Sequence, residues 1–381
     1  MKRIYSLFFA ISILAFSART QTTNDILNLL VQNKTISQKS ADSIRAAAAI
    51  TEQDNLAKQK LFPINASKKL QLGGYTQVRY QALDEYGKID GFDIRRARLD
   101  LRGTISPYWG YRLQFDFANT PKMIDGYIEL KVNDYLNFIV GQTKIPLSAE
   151  NMMQTNNIEM IEFSQVVLNL AARKNDVIGD QNGADIGVQV AGTILKIHDK
   201  PFLEYKAGIL NGAGINTLTD NNENKDLAGR LIVHPMDGMS IAGEYYKGVA
   251  RIDSAIVIKG DRNRYGCDLI YAWKNLLVRS EYIFGKDPTV DKKYNQPETN
   301  KEGFYIQAGY YFFKKKILLL AKYDYFKPNI ALTNNNSNWY VVGANYNFNA
   351  NTRLQVNYTF KEEEGPDKVN NMAAVQLQIG F

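Results

Sequence analysis

Arg96, Arg98 and Arg102 stand at every second or fourth position of one short segment, and Arg112 follows in the next. If these segments are extended, side chains two residues apart share a face, so the guanidinium groups line one wall. A guanidinium stays charged at any working pH and grips an oxyanion through two parallel N–H bonds. On the same parity Gln77 and Arg79 join from the segment before, and Gln114 and Asp116 accompany Arg112. The chemistry implied is a basic stripe able to bind or pass anions. Asp100, Asp116, Asp125 and Glu129 share that side, so a charge network that neutralises itself is the competing reading. Arg95 has the opposite parity and is expected to snorkel to an interface.

The elements that would carry these residues are strands with two unlike faces. From Leu70 onward, segments of about ten residues are apolar at alternate positions with Tyr, Phe or Trp near their ends, the pattern of a transmembrane barrel. In the second segment Ala97, Leu99, Leu101 and Ile105 face lipid; in the third, Tyr111, Leu113, Phe115 and Phe117 do. About sixteen strands are expected, at 70–83, 92–106, 110–118, 123–132, 135–143, 184–196, 202–210, 227–234, 239–247, 263–273, 276–285, 303–312, 317–326, 338–348, 352–361 and 372–381. Short turns follow the even strands, and longer polar loops such as 286–302, 327–337 and 362–371 follow odd ones. The short turns belong on the periplasmic side. Counted from strand ends, Arg96 and Arg98 fall near the outer mouth, Arg79 in the upper half, and Arg102 and Arg112 near the periplasmic end.

One connection is out of scale. Residues 144–183 include the fairly apolar run 158–170, which is unlike a loop that waves in solvent. It is expected to fold into the barrel and narrow the lumen, with an extracellular lid as the alternative. The fold class is therefore all-β, a transmembrane antiparallel barrel with a long inward-folded third loop and a short helical N-terminal segment.

Residues 1–20 carry Lys2 and Arg3 before an apolar run, which reads as a signal peptide. Its removal takes away Lys2, Arg3 and Arg19, so the formal charge of +7 falls by three and any anion preference must come from charge placement. No later apolar run is long enough for a spanning helix, while closed strands satisfy every backbone group in a bilayer. The destination is the bacterial outer membrane, in contact with its lipid. Residues 21–69 have helical spacing and would form a periplasmic helical segment and linker, and residues 70–381 the barrel. The lone Cys267 lies on the lipid parity and reads as a small hydrophobe.

Other chemistry is thinly represented. Lys206, Arg230, Arg279, Lys322 and Arg353 point inward singly or beside Glu204, Glu281 or Asp324, and read as wall polarity. The only histidines, His198 and His234, fall at periplasmic ends, away from a mouth where a barrel hydrolase would need its triad. No metal spacing, phosphate loop or dinucleotide fingerprint appears, so no cofactor, enzyme activity or nucleic-acid partner is expected. Asp220, Glu223 and Asp226 read as solvated loop polarity.

The stretches Ile94-Arg-Arg-Ala-Arg-Leu-Asp-Leu-Arg-Gly, Tyr111-Arg-Leu-Gln-Phe-Asp-Phe, Gly141-Gln-Thr-Lys-Ile-Pro-Leu-Ser-Ala-Glu and Asn211-Gly-Ala-Gly, with Asn224-Lys-Asp-Leu-Ala-Gly-Arg, resemble the phosphate-selective porin O and P family. The resemblance covers about residues 70 to 381. It implies a homotrimer of sixteen-stranded barrels that passes phosphate or related inorganic anions along arginines and lysines. Arg96, Arg98, Arg102, Arg112 and Lys144 match that basic path best, with Arg173 and Lys174 of the long loop as further candidates. A general non-selective porin, a plugged structural barrel and a barrel-mouth hydrolase are the alternatives.

Overall fold

The computed structural model of the protein describes residues 23–33, 35–42, 44, 70–84, 90–217, 219–253, 257–289, 298–364 and 370–381. The chain divides into two units, Met1–Asn65 and Ala66–Phe381. In the first, helix α1 (Thr23–Gln32) confirms helical structure where the spacing of apolar residues called for it, and Leu27 and Ala41 are buried. The expected signal peptide at 1–20 and most of the linker lie outside the described residues.

In the second unit, alternating apolar residues produce sixteen strands. They are β1 (Gln71–Leu83), β2 (Gly91–Thr104), β3 (Trp109–Asp116), β4 (Lys122–Asn133), β5 (Leu136–Lys144), β6 (Ala184–Ile197), β7 (Lys200–Leu210) and β8 (Asp226–Val233). The circuit continues with β9 (Met239–Asp253), β10 (Val257–Trp273), β11 (Leu276–Pro288), β12 (Glu298–Phe312), β13 (Ile317–Lys327), β14 (Ser337–Asn347), β15 (Thr352–Glu363) and β16 (Met372–Gly380). Each strand pairs antiparallel with its sequence neighbours, and β1 closes the ring on β16, from Tyr75 opposite Gly380 to Leu83 opposite Met372. Closure leaves no strand edge, which is what a bilayer demands of a sheet.

The outer surface is apolar. Val140, Leu231, Leu319, Val342 and Leu377 are all exposed, and a charged side chain there would cost about 2–4 kcal/mol near the membrane midplane. Aromatic pairs sit towards both ends of the wall: Tyr310 with Phe312 and Tyr346 with Phe348 near the short turns, Tyr245 with Tyr265 and Tyr358 with Phe360 near the loops. These are the interfacial girdles of a membrane barrel. Cys267 is exposed on the same outer face.

Two boundaries differ from expectation. β9 and β10 run to Asp253 and from Val257, well past the expected 247 and 263. The expected loop 286–302 is likewise part strand, taken up by the ends of β11 and β12. The β11–β12 tip carries polar side chains on both faces, and the β9–β10 tip puts Lys247, Arg251, Lys259 and Asp261 on the outward parity, so the lipid-facing alternation ends while the backbone ladder continues.

The long connection enters the barrel. It carries two short helices, α2 (Ala149–Met152) and α3 (Gln165–Leu170). Phe163, Val166, Val167 and Leu170 are buried against the inward Leu210, Tyr246, Ile283, Tyr305 and Phe326 of the wall. Each such side chain contributes about 1.5–3 kcal/mol when fully buried, which offsets part of the loop's ordering entropy. One side of the lumen is thus filled and dry.

Candidate functional site

The unfilled part of the lumen lies along β1 to β5 and, towards the periplasmic turns, also against β15 and β16. Register places Arg98 opposite Asp116, Arg102 opposite Arg112, and Arg79 opposite Asp93. Inward parity holds for Gln77, Arg79, Arg96, Arg98, Asp100, Arg102, Arg112, Gln114 and Asp116, as the alternation requires.

Arg95 departs from it. The β1–β2 register shifts between Gln77, opposite Arg96, and Val78, opposite Ile94, so Arg95 is an added residue in a bulge. A bulge turns two consecutive side chains to one side. Arg95 therefore enters the lumen, where its Nη1 donates to Ile161 O and its Nη2 to Glu162 Oε2 at 2.9 Å, and it does not snorkel.

The cations fall into two groups. Arg98 Nε donates to Asp116 Oδ2 at 3.0 Å, and its Nη1 to Thr155 Oγ1 of the loop at 2.8 Å. Arg112 holds Asp100 through two bonds of 2.9 Å and pairs with Asp125 at 3.0 Å. Arg79 pairs with Asp93 and Glu162. The other group has no carboxylate partner among the described residues. Arg96 Nη1 donates to Gln77 Oε1 at 2.8 Å, Lys144 Nζ to the carbonyl of Asn151, and Arg173 Nε to Asn151 Oδ1 at 2.9 Å. The Arg173 guanidinium also lies 3.8 Å from the centre of the Phe163 ring. Arg102 and Lys174 make no described side-chain bond.

Three cavities adjoin one another here, one above Arg98 and two below it towards the periplasmic turns, the middle one sharing residues with each of the others. The upper one, of about 320 Å³, is lined by seven cationic side chains, Arg79, Arg95, Arg96, Arg98, Lys122, Arg173 and Lys174, against the carboxylates of Asp93, Asp116, Glu162 and Asp180. The middle one, of about 470 Å³, has Arg98, Arg102, Arg112, Lys144 and Arg353 against Asp100 and Asp125. Arg98 belongs to both. The third, again about 470 Å³, shares Arg102, Arg112 and Gln154 with the middle one and adds Lys131 and Glu129. Arg98 therefore sits at mid-height between two chambers, not near the outer mouth. The strand ends stand above the wall's middle, so depth counted from them ran high; Arg79 is above Arg98, and Arg102 and Arg112 below it.

Loop electrostatics fit this placement. Burial opposes ionisation of Glu162, but Arg95 and Arg79 outweigh it and hold the carboxyl below its usual range. Burial, with Arg98 also close, pushes the Arg173 guanidinium down to about 9 despite Asp180, so it is charged at neutral pH.

The loop is also tied by polar contacts on the far wall. Glu244 Oε2 accepts from Ser148 N at 2.8 Å, and Asp324 accepts from Gln165 N at 3.0 Å. Arg262 grips Asp176 through two bonds of 3.0 and 2.9 Å, and Arg264 Nη2 reaches Asp287 at 2.7 Å. Burial acts against ionised Asp176, yet Arg262 and Arg264 hold its carboxyl well below the usual range. Sequence reasoning passed over both arginines, because Arg262 lay in an expected loop and Arg264 at the edge of an expected strand.

The later cations are also more engaged than wall polarity implied. Arg230 pairs with Glu244 and Asp268, and Arg279 Nη2 with Glu159 of the loop at 2.9 Å. Loop insertion brings Glu159 to Arg279, which strand parity alone could not show. His198 lies in the β6–β7 turn and His234 follows β8, its Nε2 2.7 Å from Glu204 Oε2. Among the described residues no group of His, Cys, Asp and Glu could hold a metal ion.

A closed sixteen-stranded barrel with short turns at one end, a lipid-facing apolar band and an inserted loop defines an outer-membrane porin. The match of a family model over residues 70–381 makes the relation specific: the chain belongs to the phosphate-selective porin O and P family. Its place is the bacterial outer membrane.

Solved structures agree in fold. An anion-selective porin from Comamonas acidovorans is 12% identical, with a TM-score of 0.62 over 82% of this chain and 99% of that one. OmpF of Salmonella typhi, in complex with daunomycin, is 12% identical, with a TM-score of 0.61 over 82% and 97%. The trimer form of OmpT from Vibrio cholerae is 11% identical, with a TM-score of 0.58 over 82% and 99%. A comparison with curated proteins finds no match.

Proposed function

We propose that the protein lets small anions, phosphate among them, diffuse passively across the outer membrane along the β1–β5 wall, and that it is a channel without enzymatic activity. The observation that carries this reading is the succession of chambers meeting at Arg98, the upper two each with three more cationic than anionic side chains. Such a surplus in a narrow, poorly screened passage lowers the cost of admitting an anion and raises that of a cation. Several weak sites in series let the ion move on, where one deep site would trap it. Arg79, Arg96, Arg98, Arg102, Arg112, Lys144 and Arg173 are the residues assigned to this path.

A non-selective porin is the second reading, favoured by the ion pairs that occupy Arg79, Arg98 and Arg112. The two readings part at Arg96 and Arg102, which hold no carboxylate among the described residues. Replacing both with Ala should shift the reversal potential of the reconstituted channel towards cations. An unchanged reversal potential would assign conduction to a path indifferent to these charges. The family resemblance supports a homotrimer, with residues 1–20 removed on export and 21–69 left in the periplasm.

A further inference from the structure

The middle chamber is built for more than a bare oxyanion. Its volume of about 470 Å³ lies within the range of about 300–1,000 Å³ typical of sites for organic small molecules. Its roof is the apex of the inserted loop, Gln154-Thr155-Asn156-Asn157. Thr155 is fixed from two sides, by Arg98 Nη1 at 2.8 Å and by the Tyr75 hydroxyl. Asn157 N donates to Gln154 O at 2.8 Å, which closes the apex as a turn, and Gln378 Nε2 donates to Asn156 O at 3.3 Å.

The backbone of the apex is therefore held, while the side-chain amides of Gln154, Asn156 and Asn157 make no described hydrogen bond. Arg102, Lys144 and Arg353 line the same chamber, none of them paired with a carboxylate among the described residues. A carboxamide offers two N–H donors and a carbonyl acceptor. A fully ionised oxyanion has only acceptors, so it uses the donors and is repelled by the carbonyls. A hydroxyl group uses both.

Resting on the anion-channel reading above, we propose that this chamber is a binding subsite for hydroxylated organic anions, such as a sugar phosphate or a sugar acid. The anionic group lies against Arg102 and Lys144, and the hydroxyls against Gln154, Asn156 and Asn157. Neutral sugars lack the first contact, and inorganic phosphate, whose P–OH groups sit on the anionic centre itself, cannot reach the second while held by the first.

The test is block of chloride current through the full chain in planar bilayers by glucose 6-phosphate, glucuronate, inorganic phosphate and glucose. The two sugar anions should half-block at concentrations about tenfold below those of phosphate or glucose, a factor that two net hydrogen bonds supply. In the Gln154→Ala, Asn156→Ala, Asn157→Ala variant that ratio should fall to within about twofold, the three amide contacts being gone. If the triple variant does not insert, Gln154→Ala alone should reduce the ratio by about threefold. Phosphate blocking at an equal or lower concentration than the sugar anions, or a ratio untouched by these substitutions, overturns the proposal. Reversal potentials from the same membranes separate the failures: anion preference without sugar-anion preference sinks this subsite alone, whereas no anion preference sinks both readings.

Discussion

Arg98 and Arg102 are four residues apart on one face of β2 and are bound differently. Arg98 is tied to Asp116 with side-chain exposures of 4% and 6%, so Arg98→Ala leaves a buried carboxylate without its partner. Breaking a buried pair in this way costs about 3–5 kcal/mol, and the variant should unfold at lower temperature in detergent. Arg102 has no such partner among the described residues. Its replacement by Ala should leave stability within about 0.5 kcal/mol while reducing anion over cation permeability, read as thermal unfolding and reversal potential side by side. Equal stability losses in the two variants would contradict the division into paired and unpaired arginines. Gly183 shows a steric constraint: its φ is +67°, and an added Cβ would fall 1.7 Å from Asn151 Oδ1. Gly183→Ala should displace Asn151, and with it the contacts of Arg173 and Lys144, which a changed single-channel conductance would report.

The long loop and the strands around it show what alternation reveals and what it hides. All sixteen strands were legible, because a sheet with one lipid face must repeat every two residues. The inward turn of Arg95 was not, since a single bulged residue reverses parity without altering composition. The seat of the loop left a trace that sequence reasoning did not use. Tyr282-Ile283-Phe284 and Phe304-Tyr305-Ile306 are apolar at three successive positions, so both faces of those strands are dry there, one on lipid and one on the loop. Interrupted alternation in β11 and β12 thus marks the wall on which a plug rests. The site itself was legible as inward arginines, but not the split between paired and unpaired ones, because the partners Glu162, Thr155 and Asn151 arrive from the loop.

Acid titration tests the loop's anchoring. Asp176 and Glu162 have lowered values in the fold, so their ion pairs contribute fully above the ordinary carboxyl range and are lost only as pH falls through the lowered values. The part of the anchoring that rests on Asp176, read as the difference in current noise between wild type and Asp176→Asn, should persist from neutral pH to about pH 4, near the usual carboxyl value, and vanish below it. In Asp176→Asn the clamp on Arg262 and Arg264 is weakened at every pH, and the noise should appear already at neutrality. A wild-type channel that turns noisy near pH 6 would assign the anchoring to other groups.

The barrel joins an apolar exterior, an interior partly filled by the loop, and a chain of basic chambers lined chiefly by β1–β5 with Arg353 of β15. On the proposed reading, the loop's hydrophobic side chains, seated on β7 to β13, leave solutes the space lined by the cations without carboxylate partners among the described residues, Arg96, Arg102, Lys144, Arg173 and Arg353. Selectivity in this design depends on where charges sit, because the mildly basic total says little about a path this narrow. If the protein is a homotrimer, light scattering of the detergent complex should give three chains per particle, and one chain per particle would overturn that assignment. The central claim is anion selectivity, and the measurement that bears on it most directly is the reversal potential of the purified protein in a planar bilayer under a KCl gradient, repeated with phosphate. The account predicts a reversal potential on the chloride side and a chloride current reduced by phosphate; a reversal potential at zero or on the potassium side would contradict it.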